Sequence, residues 1–279
     1  MSIHETKHTE SELTGPKRRI GVIDFENKTK YGEARLGNSA TDILITELVK
    51  SGKFIVVERD KIHKLMEEQK LGMTGAIDPN TAAKVGRILG LNAIVTGSVS
   101  QFGVRTEGSE YIVTQSKRQV AEVTVDIRVV DVETGQVLYA DSGKGEAKKT
   151  WGGVLGLGTR GGYDETLEGE ALRAAVVQFV DNIYSQVNQK PWSCRIADVV
   201  GQDVYINAGK ISGLKQGMTL KAFRMGREIK DPNTGVVMGY AEEPLGEMTV
   251  ERFFGEDGSI AQMKGGTLPQ AKDICRLAE

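Results

Sequence analysis

Apolar and polar positions divide the chain into two regimes. Arg19-Ile-Gly-Val-Ile-Asp-Phe25 is a short apolar run, the pattern of a buried first strand. A polar stretch from Glu26 to Leu36, containing Gly32, reads as a loop. Asn38 is placed as an N-cap, and Ala40, Ile43, Leu44 and Leu48 follow at helical spacing until Gly52. Phe54 to Val57 predicts a second strand. Asp60 then caps a helix that buries Ile62, Leu65 and Met66. Asp78-Pro79 opens a third helix through Ala82, Val85, Ile88 and Leu89, ended by Gly90. Ala93 to Val99 predicts a third strand. From Glu122 to Val132 the pattern alternates, with Val123, Val125, Ile127 and Val129 on one face and Thr124, Asp126 and Arg128 on the other. That is a half-buried antiparallel strand. Glu133-Thr-Gly135 turns it into a return strand from Gln136 to Ala140. A long amphipathic helix follows from Glu168 to Val187, with Leu172, Ala175, Val176, Phe179, Val180 and Ile183 inward.

After the linker Asn188-Gln-Lys-Pro191 the helical signals stop. Strand-like pieces recur at Ile196–Val200, Asp203–Ile206, Met218–Met225, Val236–Ala241, Gly246–Phe254 and Ser259–Met263, separated by turns such as Asp231-Pro-Asn-Thr-Gly235. The fold class expected is α+β: a disordered tail (1–17), an α/β sandwich (18–187) and a small all-β domain (192–279). Two segments sit awkwardly in the sandwich. Gln101–Ala121 and Asp141–Gly162 are connections of about 20 residues, a length that is usually functional or disordered.

Composition narrows the function. Apolar residues make up 39% and charged residues 27%, with a formal net charge of −2. Bulk electrostatics therefore give no reason to expect a nucleic-acid partner. No run approaches the roughly 18 apolar residues of a membrane helix, while a β-barrel contribution stays open. Met1 to Lys17 has no apolar core of a signal peptide, so the chain is read as cytoplasmic or as lacking its leader. Cys194 and Cys275 flank the all-β region, either as a disulfide closing a small domain in an oxidising compartment or as two buried reduced thiols.

Catalytic chemistry finds little footing. Gly156-Leu-Gly-Thr-Arg-Gly161 matches G-x-G-x-x-G, but it follows a hairpin rather than the first strand of a βαβ unit, so it reads as a glycine loop. His63 sits on the polar side of a helix and reads as solvated, and no metal or cofactor is expected. Glu58-Arg59-Asp60 reads as a local ion pair at a helix start. No nucleophile, base and oxyanion site assemble, so the chain is expected not to be an enzyme.

The order of motifs carries a resemblance. RIGVIDFEN (19–27), LGNSATDILITEL (36–48), FIVVERDKIHKL (54–65), AIVTGS (93–98) and VTVDIRVVDVETGQV (123–137) form a series that resembles the curli secretion channel (CsgG) family over residues 18–187. The last 85 or so residues resemble the small β domain of flagellar assembly protein T (FlgT), through Ile229–Val236 and Leu245–Val250. The resemblance implies a non-enzymatic protein of the curli assembly/transport type, periplasmic at the inner face of the outer membrane. It implies a homo-oligomeric ring that works with envelope or surface-structure proteins in assembly or export. It also implies two hairpins per subunit feeding a shared barrel from the two awkward segments. Their apolar positions are Phe102, Val104, Tyr111, Val113, Trp151, Val154, Leu155 and Leu157. The sequence departs from that pattern. No cysteine lies near the start to carry a lipid, and Arg105, Glu107, Glu110, Lys117, Arg118 and the stretch DSGKGEAKKT (141–150) are poor membrane strands. The alternative expectation is a soluble periplasmic scaffold, like a flagellar accessory protein, that binds a partner without a pore.

Overall fold

The computed structural model describes residues 15–68, 78–110, 114–154, 166–235 and 237–278. They form two units of mixed α/β architecture: a six-stranded sheet with helices on both faces, and a closed six-stranded barrel. The sheet contains β1 (Arg18–Val22), β2 (Glu26–Asn27), β3 (Phe54–Val56), β4 (Ala93–Glu110), β5 (Thr114–Asp131) and β6 (Val137–Val154). Its order is β3-β1-β4-β5-β6, with β2 paired to β4. The pairings of β1 with β3 and β4, and of β2 with β4, are parallel, whereas β4-β5-β6 is an antiparallel meander.

Three helices cover one face: α1 (Arg35–Lys50), α4 (Thr166–Val176) and α5 (Val180–Asn188). They meet the expected inward face of β5, where Val123, Val125, Ile127 and Val129 are buried. The residues expected to face inward on the long helix are all buried, but the helix is broken by a 3-10 turn at Val177–Phe179, where Phe179 packs over Gly143. Helices α2 (Arg59–Glu68) and α3 (Pro79–Leu89) cover the first part of the opposite face through Ile62, Met66, Ala82 and Val85 against Ile94 and Val130. Each fully buried aliphatic side chain of this kind contributes roughly 1.5–3 kcal/mol.

The helix signals were partly as expected. On α3, Asp78 accepts from the Asn80 and Thr81 amides at 2.9 and 3.2 Å, and Gly90 ends the helix at φ 65°. On α1, the helix begins at Arg35, ahead of Asn38. Gly37 lets that first turn lie against the β1 exit, because a Cβ there would stand 2.1 Å from the Phe25 carbonyl oxygen. Asn38 is instead a partner of Arg59, whose Nη2 donates to its Oδ1 at 2.8 Å. Asp60 lies inside the first turn of α2 rather than at its cap.

The barrel consists of β7 (Ser193–Val200), β8 (Asp203–Ile206), β9 (Thr219–Lys230), β10 (Val237–Phe254), β11 (Gly258–Met263) and β12 (Ile274–Leu277), closed in the order β10-β11-β8-β7-β12-β9. The expected strands Val236–Ala241 and Gly246–Phe254 are one strand, bent by three register shifts against β9. The sequence reading had no counterpart of β12, the strand that closes the barrel between β7 and β9. The core is formed by Trp192, Val204, Ile206, Leu220, Met248 and Val250 among others. Of the polar tail, residues 1–14 lie outside the described residues. Lys17 is held on the barrel, its amide donating to the Ser212 carbonyl and its own carbonyl accepting from Trp192 Nε1.

Sheet and barrel meet through polar contacts. Arg19 Nη1 donates to the Asn207 carbonyl, Asn92 Nδ2 to the Ser193 carbonyl, and Arg87 Nη1 to the Tyr240 hydroxyl. Two turns of the same make, Asp131-Val-Glu-Thr-Gly135 and Asp231-Pro-Asn-Thr-Gly235, approach each other here, and Gln136 Nε2 reaches the Val237 carbonyl at 3.4 Å. In both, the aspartate Oδ1 accepts from the two following amides and from the threonine hydroxyl, and the glycine takes φ near 70°. Only Asp131 is buried, at 2% exposure, and it also pairs with Lys190 Nζ at 2.6 Å. Asp131→Ala is therefore expected to cost about 2 kcal/mol in urea unfolding, since it leaves buried donors and a lysine unpaired. Asp231→Ala, on an exposed turn, should cost clearly less. Equal losses would show that the turn alone, and not its burial, sets the cost.

Candidate functional site

The described parts of the two awkward segments are strands continuous with the sheet. Gln101–Ala121 is the end of β4 joined to the start of β5, and the described part of Asp141–Gly162 is the body of β6. All three strands have 18 residues, about 60 Å at the usual rise of about 3.3 Å per residue. The pairing runs from Ala93↔Asp131 to Glu110↔Gln115 with one register shift between Val99 and Gln101, and from Val130↔Val137 to Thr114↔Val154 with one between Val129 and Val130. Strand β2 stops pairing with β4 at Val99, so beyond that point β4 has β5 on one side only, and β6 is a sheet edge throughout. The result is a three-stranded ribbon with two open edges.

Its attachment depends on small residues. On β6, Gly143, Gly145 and Ala147 are buried while Lys144, Glu146 and Lys148 are exposed. A Cβ on Gly145 would stand 1.9 Å from the Ala171 carbonyl oxygen and 2.6 Å from the Ala175 nitrogen. One on Gly143 would stand 2.4 Å from the Ala175 carbonyl oxygen. Helix α4 thus rests on the strand backbone itself. Two ion pairs tie α4 to α1, Arg35–Glu168 at 2.5 Å and Arg173–Glu47, with both glutamates buried. Gln178 Nε2 donates to the Lys144 carbonyl at 2.8 Å, blocking the β6 backbone at that point.

Beyond this support the ribbon is polar on both faces as far as Glu107, Arg118 and Thr150. One face runs on from Val104, Ala121 and Ala147 to the aligned residues Thr106, Gln119 and Lys149. The other carries Arg105 and Lys148 beside Val120, then Glu107, Arg118 and Thr150. Arg105 pairs with Glu122 at 2.6 Å and Glu107 at 3.1 Å, and Lys148 pairs with Glu146 at 2.5 Å. Of the residues singled out by sequence, Phe102 is half-buried, its ring edge-on to Tyr31 at 5.7 Å, and Val104 is 36% exposed. On β6, Trp151 and Val154 stand opposite Lys117 and Thr114 of β5. Tyr111, Val113, Leu155 and Leu157 lie outside the described residues, as does the Gly156–Gly161 loop.

Cys194 and Cys275 are opposite one another on β7 and β12, both buried and both free thiols. The Cys275 thiol is pushed well above its usual value, first by its hydrogen bond with Cys194 and then by burial. Arg59 does not pair with its sequence neighbours Glu58 and Asp60. Its Nε meets Asp24 at 2.5 Å and its Nη1 meets Asp42 at 3.0 Å, ion pairs that raise its pKa. His63, expected to be solvated, has its Nε2 2.9 Å from the other Asp24 oxygen. Asp24, Arg59 and His63 therefore join the exits of β1 and β3, an arrangement that only the parallel pairing of those strands produces. Among the described residues no group of three or more His, Cys, Asp or Glu is placed to hold a metal, and no helix is long and apolar enough to cross a membrane.

Comparison with known proteins agrees with the motif series. The chain belongs to the family of the curli production assembly/transport component CsgG, whose model matches residues 4–218 and so extends past the sheet into the barrel. A putative lipoprotein of Neisseria meningitidis serogroup B is 28% identical over 202 residues, 69% of this chain and 86% of that protein. The curli component CsgG of Escherichia coli K12 is 29% identical over 148 residues, 46% of this chain, which spans only 53% of that protein's length. Among solved structures, the PelC dodecamer from Paraburkholderia phytofirmans aligns over 62% of this chain and 91% of its own, at 15% identity and a TM-score of 0.35.

Proposed function

We propose that this chain is a non-enzymatic component of the bacterial envelope, acting at the periplasmic face of the outer membrane. It self-associates through the β4-β5-β6 ribbon and supports assembly or export of a surface structure. The observation that carries this reading is the ribbon itself: three long strands with two unpaired edges. Exposed edges are otherwise a liability that folds cover or blunt, and copies joined edge to edge remove them by closing a ring. Membership of the CsgG family and the lipoprotein relative support an envelope location. The barrel, taken as a FlgT-like module, is the element that meets a partner protein.

The pore-less scaffold is the form of this reading that the ribbon's chemistry favours. Each Lys or Arg on a lipid-facing position near mid-bilayer costs about 2–4 kcal/mol. Lys149 on one face and Arg105, Arg118 and Lys148 on the other leave no side of the described ribbon suited to lipid. Light scattering after size exclusion, with and without mild detergent, tests the self-association. A discrete species of many subunits is expected, and a 30.3 kDa monomer at high concentration in both conditions would sink it. Single-channel conductance in liposomes would favour the pore over the scaffold.

An oxidising compartment also gives the cysteines a role. Directly opposed residues on antiparallel strands have Cα atoms about 4.5–5.5 Å apart, inside the range a disulfide spans. Oxidation by a disulfide-exchange partner, itself reduced to a dithiol, would take two protons and two electrons from the pair and join β7 to β12. After such treatment, intact mass is expected to show one bridge and no free thiol. Two thiols that still react after oxidation and unfolding would remove this part of the reading.

A further inference from the structure

Between the start of β1, the linker and the first barrel strand lies a cavity of about 50 Å³. Four cationic side chains line it: Arg18, Lys190, Arg195 and Arg276. The acids at its wall are Asp131 and Glu133. Pairing these charges leaves a remainder. Lys190 is matched by Asp131 at 2.6 Å, and Arg276 by Glu242 at 2.5 Å. Arg18 and Arg195 have no carboxylate within 4.0 Å among the described residues. Arg18 gives its hydrogen bonds to neutral oxygens of Asn188, Lys190 and Pro191, and Arg195 Nη1 gives one to the Lys272 carbonyl at 3.3 Å. Glu133 acts on Arg195 and Arg276 from a distance, without pairing with either.

Two guanidinium groups without a paired carboxylate therefore line the same cleft, with Glu133 acting on Arg195 from a distance. Burial lowers the pKa of both, Arg18 to about 10, with no ion pair to offset the cost. A desolvated charge without a counterion is among the most expensive features a fold can keep. We infer that this cleft is a binding site for a small tetrahedral oxyanion of the phosphate or sulfate class. The Arg195 guanidinium, of which only Nη1 makes a hydrogen bond among the described residues, presents a fork that matches two oxygens of such an ion at once, which a chloride cannot use, while Arg18 adds charge from its place on the linker. The Ser193 hydroxyl, which accepts from Asn92 at 3.2 Å, has its own proton left to donate. The volume exceeds the roughly 10–15 Å³ that one water needs, yet is too small for a sugar or a base.

Thermal unfolding and calorimetry of the full chain, titrated with inorganic phosphate against sodium chloride at equal ionic strength, test the site. A saturable rise of several degrees with phosphate but not chloride is expected. In Arg195→Met the dissociation constant should weaken at least tenfold, and in Arg195→Lys by less. An equal response to chloride, no saturable response, or undiminished binding by Arg195→Met would overturn the proposal. If Arg195→Met does not fold, Arg195→Lys and the chloride comparison decide alone. Binding to phosphatidylglycerol vesicles without any response to free phosphate would place the anion preference on the surface and overturn the enclosed site.

Discussion

Gly145→Val will unfold the sheet half of the protein or leave it insoluble, and Gly145→Ala will cost about 3 kcal/mol. The would-be Cβ meets backbone atoms of α4 at 1.9 and 2.6 Å, and backbone cannot rotate away as a side chain can. Overpacking usually costs about 1–3 kcal/mol, and here the helix must lift off a strand that also carries Gly143 beneath it. The loss should appear as a lower urea midpoint with an unchanged slope. Gly103→Ala is the matched control: it lies on the same ribbon, and a Cβ there meets nothing within 4 Å. That variant should stay within about 0.5 kcal/mol of the parent. If the two alanine variants behave alike, α4 does not rest on β6 as described.

Arg18→Ala is expected to cost about 3 kcal/mol and to release the linker. Arg18 is 6% exposed, and its guanidinium is the partner of the Asn188 side chain and of the Lys190 and Pro191 carbonyls. Without it those part-buried oxygens lose their donor, at up to about 1–3 kcal/mol each before water and the chain adjust. Hydrogen exchange resolves the second half of the prediction. Protection should fall at residues 188–193 and at Trp192, and much less on α4. Arg18→Lys keeps the charge but cannot fork across the linker, so it should recover only part of the loss. Unchanged exchange in Arg18→Ala would show that the linker is held by the barrel instead.

Where one residue type in one register decides the structure, the sequence was readable. The Asp78 cap, the Gly90 stop, the alternating face of β5 and the inward stripe of α4 and α5 follow from local rules. The ribbon did not, because its signal has a different form. The stretch DSGKGEAKKT has almost no apolar side chain, so a search for hydrophobic alternation passes over it. Its alternation is of size rather than hydrophobicity: Gly143, Gly145 and Ala147 inward, Lys144, Glu146 and Lys148 outward. Small residues at every second position mark a strand on which another backbone lies. The charges of β4 and β5 argued against membrane strands, and the structure pairs Arg105 with Glu107 and Glu122 on an exposed face. Contacts between distant segments were beyond local pattern altogether. Nothing near Arg59 points to Asp24, and nothing near Arg18 points to Pro191.

The grip of Arg18 on Pro191 joins residues 173 positions apart. A ribosome adds about 5–20 residues per second, so roughly 10–35 s separate the making of the two. Throughout that interval the first strand exists without this lock. The contacts that fasten β1 to the linker can form only once residues 188–191 have been made. Timing is thus written into the fold: this clasp closes only after most of the chain has been made.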